Sequence, residues 1–575
     1  MKSTRRGTAV TATFAVAALV LAACGGGDDP ATETPSGGGE GGLEPSGSAT
    51  YGESTAFPEN LNPLIAAGNS VATSNILVGI LPGAFIIQPD FSLSHDENLL
   101  ESEPVSDDSG GQQVVTYEIS DDAIWSDETP ITAADFEFSW RIQRSSDPAD
   151  GGCEVLLGTT GYEQIESVEP GDDDKTAVVT FTDPYPDWQS LFTLYPAHIL
   201  DEGDDAANCT AITEGWPIAE GLPEEFSGGP YQLTAANIDA GAQTVVLTPN
   251  PNWYGEGPGL ENLIYQSIGS ESNTTVAALQ NNEVQLASPQ PQLDLVGQIE
   301  GLAPNVTSSI DFGLSFEHFD LNTANVHLGK PEVRKAFALA LDRTSLVEAT
   351  VGAFDSRAQV LNNRVFVNNQ PEYVDTAPEE YNAQDIDGAI ALLEGVGYTI
   401  GPDGVATHPT DGPLQLTMST TQNNPLREQT IDLATAQVAD AGFAIEKFLD
   451  PDIFAGAEKP TSLEARGFEI ALFAWVTSPF FSSTKSLYAT GEGQNYAGAS
   501  VPEVDELLNA LTSEVDREAA VTMANEADAL LWEEMATIPL YQKPTFTAWS
   551  STLEGIEPNA SLAGPLWNAG QITVA

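Results

Sequence analysis

Residues 125–136 read WSDETPITAADF and predict the start of a helix behind a turn. Thr132 and Asp135 have the spacing of a capping box, in which the two side chains bind backbone N–H groups of the first helical turn. Phe136 and Trp140 follow at roughly helical spacing. We therefore expect a helix that begins directly after Thr132 and packs one apolar face.

Strand-like and helix-like patterns alternate on both sides of this stretch. Short runs rich in Val, Thr and aromatic residues predict strands at 114–119, 177–181, 245–248 and 469–475. Pro331 suits the first turn of a helix, and apolar stripes follow at 333–341 and 504–511. Stripes of this kind are typical of core packing, so the sequence predicts a continuous α/β body with two lobes.

The N-terminus has the order of a secretory signal peptide. Lys2, Arg5 and Arg6 precede an apolar run of about 15 residues, which is shorter than the roughly 20 that span a bilayer. The run ends in Leu-Ala-Ala before Cys24, and this ending resembles the lipobox of bacterial lipoproteins. The resemblance implies that residues 1–23 are removed and that Cys24 is lipidated. The alternative is a plain signal peptide followed by an incidental cysteine.

The segment 24–49 contains almost nothing apolar behind its cysteine and is rich in Gly, Pro, Ser and acidic residues. This composition predicts a flexible tether with a root-mean-square reach of roughly 25–30 Å. We expect the tether to hold the folded body at the outer face of the cell membrane, through the lipid on Cys24.

The chain is strongly acidic, with 85 Asp and Glu residues against 19 Lys and Arg residues and a net charge of −66. Such a charge repels nucleic acid and anionic lipid headgroups, so we expect neither as a partner. The acids are spread over the whole chain. That distribution favours a solvated surface, suited to high salt or a charged cell wall, over a specific site for cationic ligands.

Lipidation of Cys24 would leave Cys153 and Cys209 as an even pair in an oxidising compartment. We expect a disulfide between them, worth roughly 4 kcal/mol for a loop of this length in the chain-entropy model. Two separate thiols are the alternative. Neither cysteine has a second ligand at short spacing and the histidines are scattered, so we expect no metal and no cofactor.

Motifs of common enzyme classes are missing from the sequence. It has no G-x-S-x-G, no H-E-x-x-H, no P-loop and no strand-linked G-x-G-x-x-G. Among so many carboxylates some pair will always match the spacing of a glycosidase, so that pattern carries no weight. We therefore expect no enzymatic activity.

A series of segments, in order from about residue 57 to 545, resembles family 5 extracellular solute-binding proteins. These are the oligopeptide- and dipeptide-binding components of ABC importers. Each match is weak by itself, and the ordered set behind a lipobox and a tether is specific. The segments are residues 125–136, 195–200 (YPAHIL), 228–233 (GGPYQL), 247–255 (LTPNPNWYG), 275–287, 331–343 (PEVRKAFALALDR), 394–398, 495–496 and 502–505.

The resemblance implies a periplasmic-binding-protein-like fold of the class with an extra subdomain, in which two α/β lobes joined by a hinge close on a solute. The expected domains are lobe I at 50–312 plus 540–575, with the extra subdomain at about 71–190, and lobe II at 313–539. The expected partners of a monomeric chain are a peptide or related small solute and the permease subunits of an ABC importer.

The resemblance also implies site residues. In peptide-binding members a W-x-x-D motif supplies an Asp for the peptide's α-amino group. Trp475 matches the Trp, whereas Ser478 stands in the place of the Asp and brings no charge. This departure leaves open whether free peptides bind. We expect Trp475, Ser478, Asn495 and Tyr496 to line the ligand site, with Trp188 reaching it from the small subdomain.

Two other functions stay open from the sequence. A cell-envelope regulatory or scaffold lipoprotein would keep the fold without transport, and Ser478 in place of the Asp motivates this alternative. A secreted hydrolase on a similar scaffold is supported only by the abundant carboxylates. Solute-dependent closure of the lobes would distinguish the receptor from both.

Overall fold

The computed structural model describes residues 43–269, 271–481 and 483–575. The predicted signal peptide, Cys24 and the predicted tether up to residue 42 lie outside the described residues. The first strand begins at Ser48, so the last two residues of the predicted tether are part of a strand.

The described residues form short strands and helices in alternation. The strands are β1 (Ser48–Glu53), β2 (Phe85–Ile87), β3 (Leu93–His95), β4 (Val105–Asp107), β5 (Val114–Glu118), β6 (Ile165–Pro170), β7 (Thr176–Phe181), β8 (Tyr231–Gln232), β9 (Ile238–Asp239), β10 (Thr244–Pro249), β11 (Asn262–Ser267), β12 (Leu286–Ala287), β13 (Val306–Leu321), β14 (Thr399–Ile400), β15 (Ala406–His408), β16 (Gly412–Pro413), β17 (Gln415–Thr421), β18 (Ala444–Asp450), β19 (Ile470–Val476), β20 (Thr537–Ser550), β21 (Leu553–Glu554) and β22 (Thr573–Val574). The helices are α1 (Val71–Leu77), α2 (Ala133–Arg141), α3 (Ala197–Leu200), α4 (Asp205–Glu214), α5 (Ser272–Gln280), α6 (Leu293–Glu300), α7 (Pro331–Ala340), α8 (Arg343–Ala349), α9 (Ile386–Gly395), α10 (Pro425–Ala439), α11 (Ser483–Tyr488), α12 (Pro502–Leu511) and α13 (Arg517–Glu534). The strands predicted at 114–119, 177–181, 245–248 and 469–475 are confirmed as β5, β7, β10 and β19, and Pro331 is confirmed as the first residue of α7.

One large mixed sheet has the strand order β18-β17-β19-β13-β20-β12-β1-β11-β10-β8. Two long antiparallel strands, β13 and β20, run through its middle. One end of β13 pairs with β19, whereas the opposite end of β20 pairs with β12. The sheet thus has two halves, which we name lobe I (the β12-β1-β11-β10-β8 side) and lobe II (the β18-β17-β19 side).

The joining strands change register between Phe312 and Phe316, where the backbone of β13 bulges against β20. An extra residue in one strand bends a ladder locally and increases its twist. The predicted boundary between residues 312 and 313 falls at this irregularity, and the return at 539/540 falls inside β20.

Lobe I packs a core between its half of the sheet and the preceding helix. Ile76 and Leu77 of α1 are buried together with Leu247 and Leu263 of β10 and β11. The predicted small subdomain begins near residue 71, but these core contacts place α1 in lobe I, because its apolar face is buried against the lobe I strands.

The small subdomain is a four-stranded antiparallel sheet of the order β4-β5-β7-β6, covered by α2. The capping box is confirmed, since the Thr132 hydroxyl caps α2 and the Asp135 carboxylate accepts the Thr132 N–H at 2.8 Å. Asp135 also accepts the indole N–H of the buried Trp125 at 3.2 Å. One carboxylate therefore ties both ends of the WSDETPITAADF stretch to the start of the helix.

Lobe II buries the apolar stripe of α7 against β17, β19 and α10. Val333 and Phe337 on this stripe are completely buried. A second core holds α12 against α13, with Val504, Leu508 and Leu511 buried between them. Both stripes therefore serve packing, as the sequence predicts.

The structure joins Cys153 to Cys209 in a disulfide. Cys209 lies on α4, and Cys153 lies in the loop that follows the short helical turn Pro148–Asp150. Because Cys153 belongs to the lobe I core, the bridge fixes α4 to this core.

Candidate ligand-binding site

The end of β19 presents aromatic side chains at the boundary between the lobes. In its antiparallel pairing with β13, Trp475 lies opposite Phe316 and Phe473 lies opposite His318. Directly paired residues point to the same face of a sheet, so these four rings share one face. The opposite face carries Leu472 and Phe319, which belong to the lobe II core.

The rings of His318 and Tyr496 lie nearly parallel to that of Trp475. The Trp475 centroid is 5.9 Å from that of His318 and 5.5 Å from that of Tyr496, with interplanar angles of 10° and 22°. Phe473 packs its ring at a steep angle to Trp475 at 5.1 Å, and Phe454 continues the group beyond Phe473. The structure thus brings Trp475 and Tyr496 together, as expected for one site.

The outer part of this aromatic group is accessible. Phe454 is 56% exposed and Val476 is 58% exposed, and Tyr496 is only partly buried. Trp475 and Tyr496 are each only partly buried, so both rings keep surface that a ligand can contact. Aromatic edges and faces of this kind give a ligand apolar contact with little loss of side-chain entropy.

Ser478 follows the strand in a turn that leads towards α11. Its hydroxyl accepts the backbone N–H of Phe480 at 3.3 Å, and the neighbouring Thr477 N–H binds the carbonyl of Leu314. The segment 475–480 carries no charge. Burial raises the pKa of the Tyr496 hydroxyl, and the carboxylates of the exposed Glu464 and the buried Asp320 add to this rise.

Asn495 is buried in the loop before α12, and its side chain is hydrogen-bonded to the backbone of that loop. Its amide donates to the carbonyls of Ala489 and Ala499, and its oxygen accepts the N–H groups of Gly498 and Ala499. Two donors and two lone pairs are thereby used, so the side chain holds the loop that carries Tyr496 instead of contacting a ligand.

Trp188 lies on the small subdomain, away from this group. Its ring packs edge-on against Phe85 at 5.4 Å and Tyr117 at 6.4 Å. No ring contact found among the described residues links Trp188 to Trp475 or Tyr496. Its role in the structure is to cover the small subdomain beside the β2–β3 hairpin.

Sequence reasoning missed His318, a completely buried residue near the C-terminal end of β13. Burial lowers the pKa of His318 to about 3, so the imidazole is neutral. Neither ring nitrogen has a hydrogen-bond partner among the described residues, and Nε2 is 3.6 Å from the carboxylate of Asp320. Burial raises the pKa of Asp320 to about 7. The hydrogen bond that the Thr537 hydroxyl donates to Asp320 at 2.7 Å lowers the pKa and offsets only part of this rise.

A cavity of about 360 Å³ lies at the same boundary. Pro89 of the β2–β3 loop lines one side, and Phe312 and Gln542 of the joining strands line another. Asn369 donates to the carbonyl of Phe312 and accepts from Gln542. The guanidinium of Arg357, bound to Asp355, lies 5.4 Å from the Phe312 ring centroid. The lining thus offers a solute several amides, the Arg357 cation and the Asp311 carboxylate, beside a few apolar side chains.

In the described part of the chain, no three His, Cys, Asp or Glu side chains are grouped as a metal site would require. None of the helices described there has the length and apolar character needed to cross a membrane.

The sequence and the fold match known proteins over most of the chain. The oligopeptide-binding protein OppA of Mycobacterium tuberculosis is 30% identical over 518 residues, which cover 87% of this chain and 80% of OppA. An uncharacterized lipoprotein of the same organism is 23% identical over 510 residues, covering 81% of this chain and 83% of the relative.

Among solved structures, the periplasmic EDTA-binding protein EppA superposes with a TM-score of 0.84 at 28% identity, covering 93% of this chain and 98% of EppA. The two-lobed α/β fold is thereby confirmed. Residues 97–498 match the family described as bacterial extracellular solute-binding proteins, family 5. The chain belongs to this family of extracellular solute-binding proteins.

Proposed function

We propose that the protein is the solute receptor of an ABC importer, which captures a peptide or a related small solute between its lobes and delivers it to a permease. The observation that carries this proposal is the partly exposed aromatic group around Trp475 and Tyr496 at the boundary of the lobes. Family membership and the 30% identity to an oligopeptide-binding protein support it.

The location that we propose is the outer face of the cell membrane, where a lipid on Cys24 anchors a monomeric receptor. The Leu-Ala-Ala-Cys ending of the apolar N-terminal run and the relative that is named a lipoprotein support this part. A tether of roughly 25–30 Å reach keeps the receptor within range of a permease in the same membrane.

The substrate class that the site fits is a small solute with an apolar part and a polar or acidic part. Tyr496 and Phe454 offer apolar surface, whereas Arg357 and Asn369 offer donors. Relatives are named for oligopeptides and for EDTA, a polyanionic chelator, so peptides and polycarboxylates are the solute classes to test first. Where the solute carries an ammonium group, we assign its countercharge to Glu464, because residue 478 has none.

The hinge that we propose lies at the register change between Phe312 and Phe316. A ligand that contacts both lobes stabilises the closed arrangement by its additional contacts there. The regulatory or scaffold alternative predicts no such dependence on a solute.

The experiment is a thermal unfolding screen of the purified protein against dipeptide to nonapeptide pools, EDTA and its metal chelates. Ligand at 100 times its Kd stabilises the folded state by about 2.7 kcal/mol, so a binder raises the melting temperature measurably. A screen with no shift for any of these solutes contradicts the proposed receptor function. Recovery of a non-permease envelope protein as the bound partner would favour the scaffold.

A further inference from the structure

We propose that Phe91 is a latch, a side chain of lobe I whose insertion into an apolar socket of lobe II holds the two lobes together. This inference rests on the proposed solute-receptor function, because a latch matters where lobes open and close. It adds a positioning residue from lobe I to the boundary at which lobe II presents Trp475.

The latch is carried by a tight hairpin. Strands β2 and β3 pair from Phe85 opposite His95 to Ile87 opposite Leu93, and the Gln88 N–H binds the carbonyl of Ser92 at 2.9 Å. The Phe91 N–H returns to the carbonyl of Gln88 at 2.9 Å. The Asp90 carboxylate accepts from the N–H and the hydroxyl of Ser92. Three residues, 89–91, therefore close the hairpin in a rigid turn.

The last turn residue has a conformation that suits glycine or asparagine. In such three-residue loops a turn is followed by one left-handed residue, usually Gly. Phe91 occupies this position with φ of 69°. An aromatic residue is disfavoured there, and backbone strain of this kind persists where surrounding contacts compensate for it and often marks a functional position.

The compensating contacts come from the other lobe. Phe91 is only 9% exposed, although its neighbours Pro89 and Asp90 are exposed. Its ring belongs to one buried cluster with residues that all follow position 313 in the chain. These socket residues are Leu314, Phe316, Leu361 and Val367, and Tyr373 and Trp475 pack against the cluster.

The base of the hairpin is fixed to the lobe I side. The carbonyl of Ile87 accepts the amide N–H of Asn559 at 2.8 Å, and Asn559 lies in the C-terminal segment that follows β21. Phe85 packs edge-on against Trp188 of the small subdomain. The hairpin therefore moves with lobe I and the small subdomain, and Phe91 crosses to lobe II.

The socket also contacts the candidate ligand site. Trp475 packs against the Phe91 cluster on one side and against Tyr496 on the other. Separation of the lobes would withdraw Phe91 and expose both its ring and the socket to water, which is unfavourable. The latch thus biases the lobes towards the arrangement in which Trp475 is supported.

The test measures amide hydrogen exchange of the full mature protein in detergent, after dialysis to remove small molecules. The variants are Phe91→Gly, Phe91→Ala and Phe91→Leu. Glycine fits the left-handed position, so Phe91→Gly keeps the turn and removes only the ring. Val105→Ala, at an exposed position on β4, is the control for a general loss of stability.

Phe91→Gly and Phe91→Ala are expected to raise exchange at 314–316 and 361–367 by about fivefold or more, because the socket opens locally. In Phe91→Gly the hairpin amides at 88 and 92 should keep their protection. Phe91→Leu should lie near the wild type, since it keeps an apolar side chain in the socket. The control should change none of these segments.

Unchanged exchange at 314–316 and 361–367 in Phe91→Gly would overturn the latch. Because no solute is present, this result does not depend on the receptor function. Raised exchange in a protein that binds no solute would uphold the latch and contradict the receptor. Solute binding together with unchanged exchange in Phe91→Gly would support the receptor and overturn the latch.

Discussion

Trp475 stacks against Tyr496, with ring centroids 5.5 Å apart and ring planes inclined by 22°. The two residues come from different segments, the end of β19 and the loop before α12, and Asn495 holds that loop from within. The stack supports one aromatic surface at the boundary of the lobes, and we expect a bound solute to contact this surface.

Loss of the Tyr496 ring should weaken solute binding. Tyr496→Ala is expected to lower the affinity for a solute identified by thermal screening by about tenfold or more, because the exposed ring face is lost. Tyr496→Phe keeps that face and should stay within about threefold. Isothermal titration calorimetry measures both values, and Trp253→Ala, which removes a half-buried Trp of lobe I, is the matched control. Equal affinities for Tyr496→Ala and the control would remove Tyr496 from the site.

A carboxylate at position 478 should create an ammonium site. Ser478→Asp is expected to raise the affinity for peptides with a free amino terminus by about tenfold, or ~1.4 kcal/mol, and to leave N-acetylated peptides unchanged. Competition binding with matched free and acetylated peptides checks this difference. If both peptide forms respond alike, residue 478 does not face the peptide terminus.

The same peptides test Glu464. Glu464→Gln should lower the preference for the free amino terminus over the acetylated one, because it removes the exposed charge near Tyr496. Glu503→Gln, in the first turn of α12, is the matched control. An unaltered preference in Glu464→Gln would show that the countercharge lies elsewhere.

The ion pair of Arg364 with Asp528 should be essential for lobe II. The two groups are 3.0 Å apart and both side chains are completely buried. Asp528→Ala leaves a buried cation without its partner and is expected to cost about 3–5 kcal/mol. Glu533→Ala on the same helix breaks an exposed pair and should change stability by at most about 1 kcal/mol. Urea unfolding measures both; similar losses in the two variants would contradict a special role of the buried pair.

His318 and Asp320 should give opposite pH dependences of stability. With a pKa of about 7, folded Asp320 keeps a proton that the unfolded chain loses above 3.8, so its contribution falls as pH rises from 3.8 to about 7. With a pKa of about 3, folded His318 stays neutral where the unfolded chain binds a proton, so its contribution falls as pH drops below 6.5.

The two effects offset each other between pH 4 and 6.5, and single variants should reveal each one. Relative to the wild type, Asp320→Asn should gain stability as pH rises from 4 to 7, by up to about 1.4 kcal/mol per pH unit. His318→Asn should gain stability relative to the wild type as pH falls from 6.5 to 4. Urea unfolding across this range measures the free energies, and differences independent of pH for both variants would refute the assigned protonation states.

The elements that the sequence predicted correctly are those governed by local rules. The capping box at Thr132, the proline at the start of α7 and the strand-forming composition of β19 need only neighbouring residues. The two-lobed fold was predicted from the ordered motifs, because together they identify the family.

The candidate site was predictable only in part. Trp475 and Tyr496 were predicted through family motifs, and the structure brings the two rings together. Asn495 instead holds its own loop through side-chain hydrogen bonds. This role was not predictable, because those bonds depend on a loop conformation that no local pattern encodes. His318 and Phe91 were missed because burial across the lobes gives no periodic signal; the one local sign for Phe91 is an aromatic residue directly after Pro-Asp in a turn.

We propose that the lobes bind a small solute at the boundary marked by Trp475 and Tyr496. Native mass spectrometry of the mature protein, incubated with the peptide and chelate pools, is decisive for this claim. We predict a one-to-one adduct that is lost in Tyr496→Ala and retained in Trp253→Ala. Absence of any adduct across the pools, or an adduct equally strong in both variants, would contradict the claim.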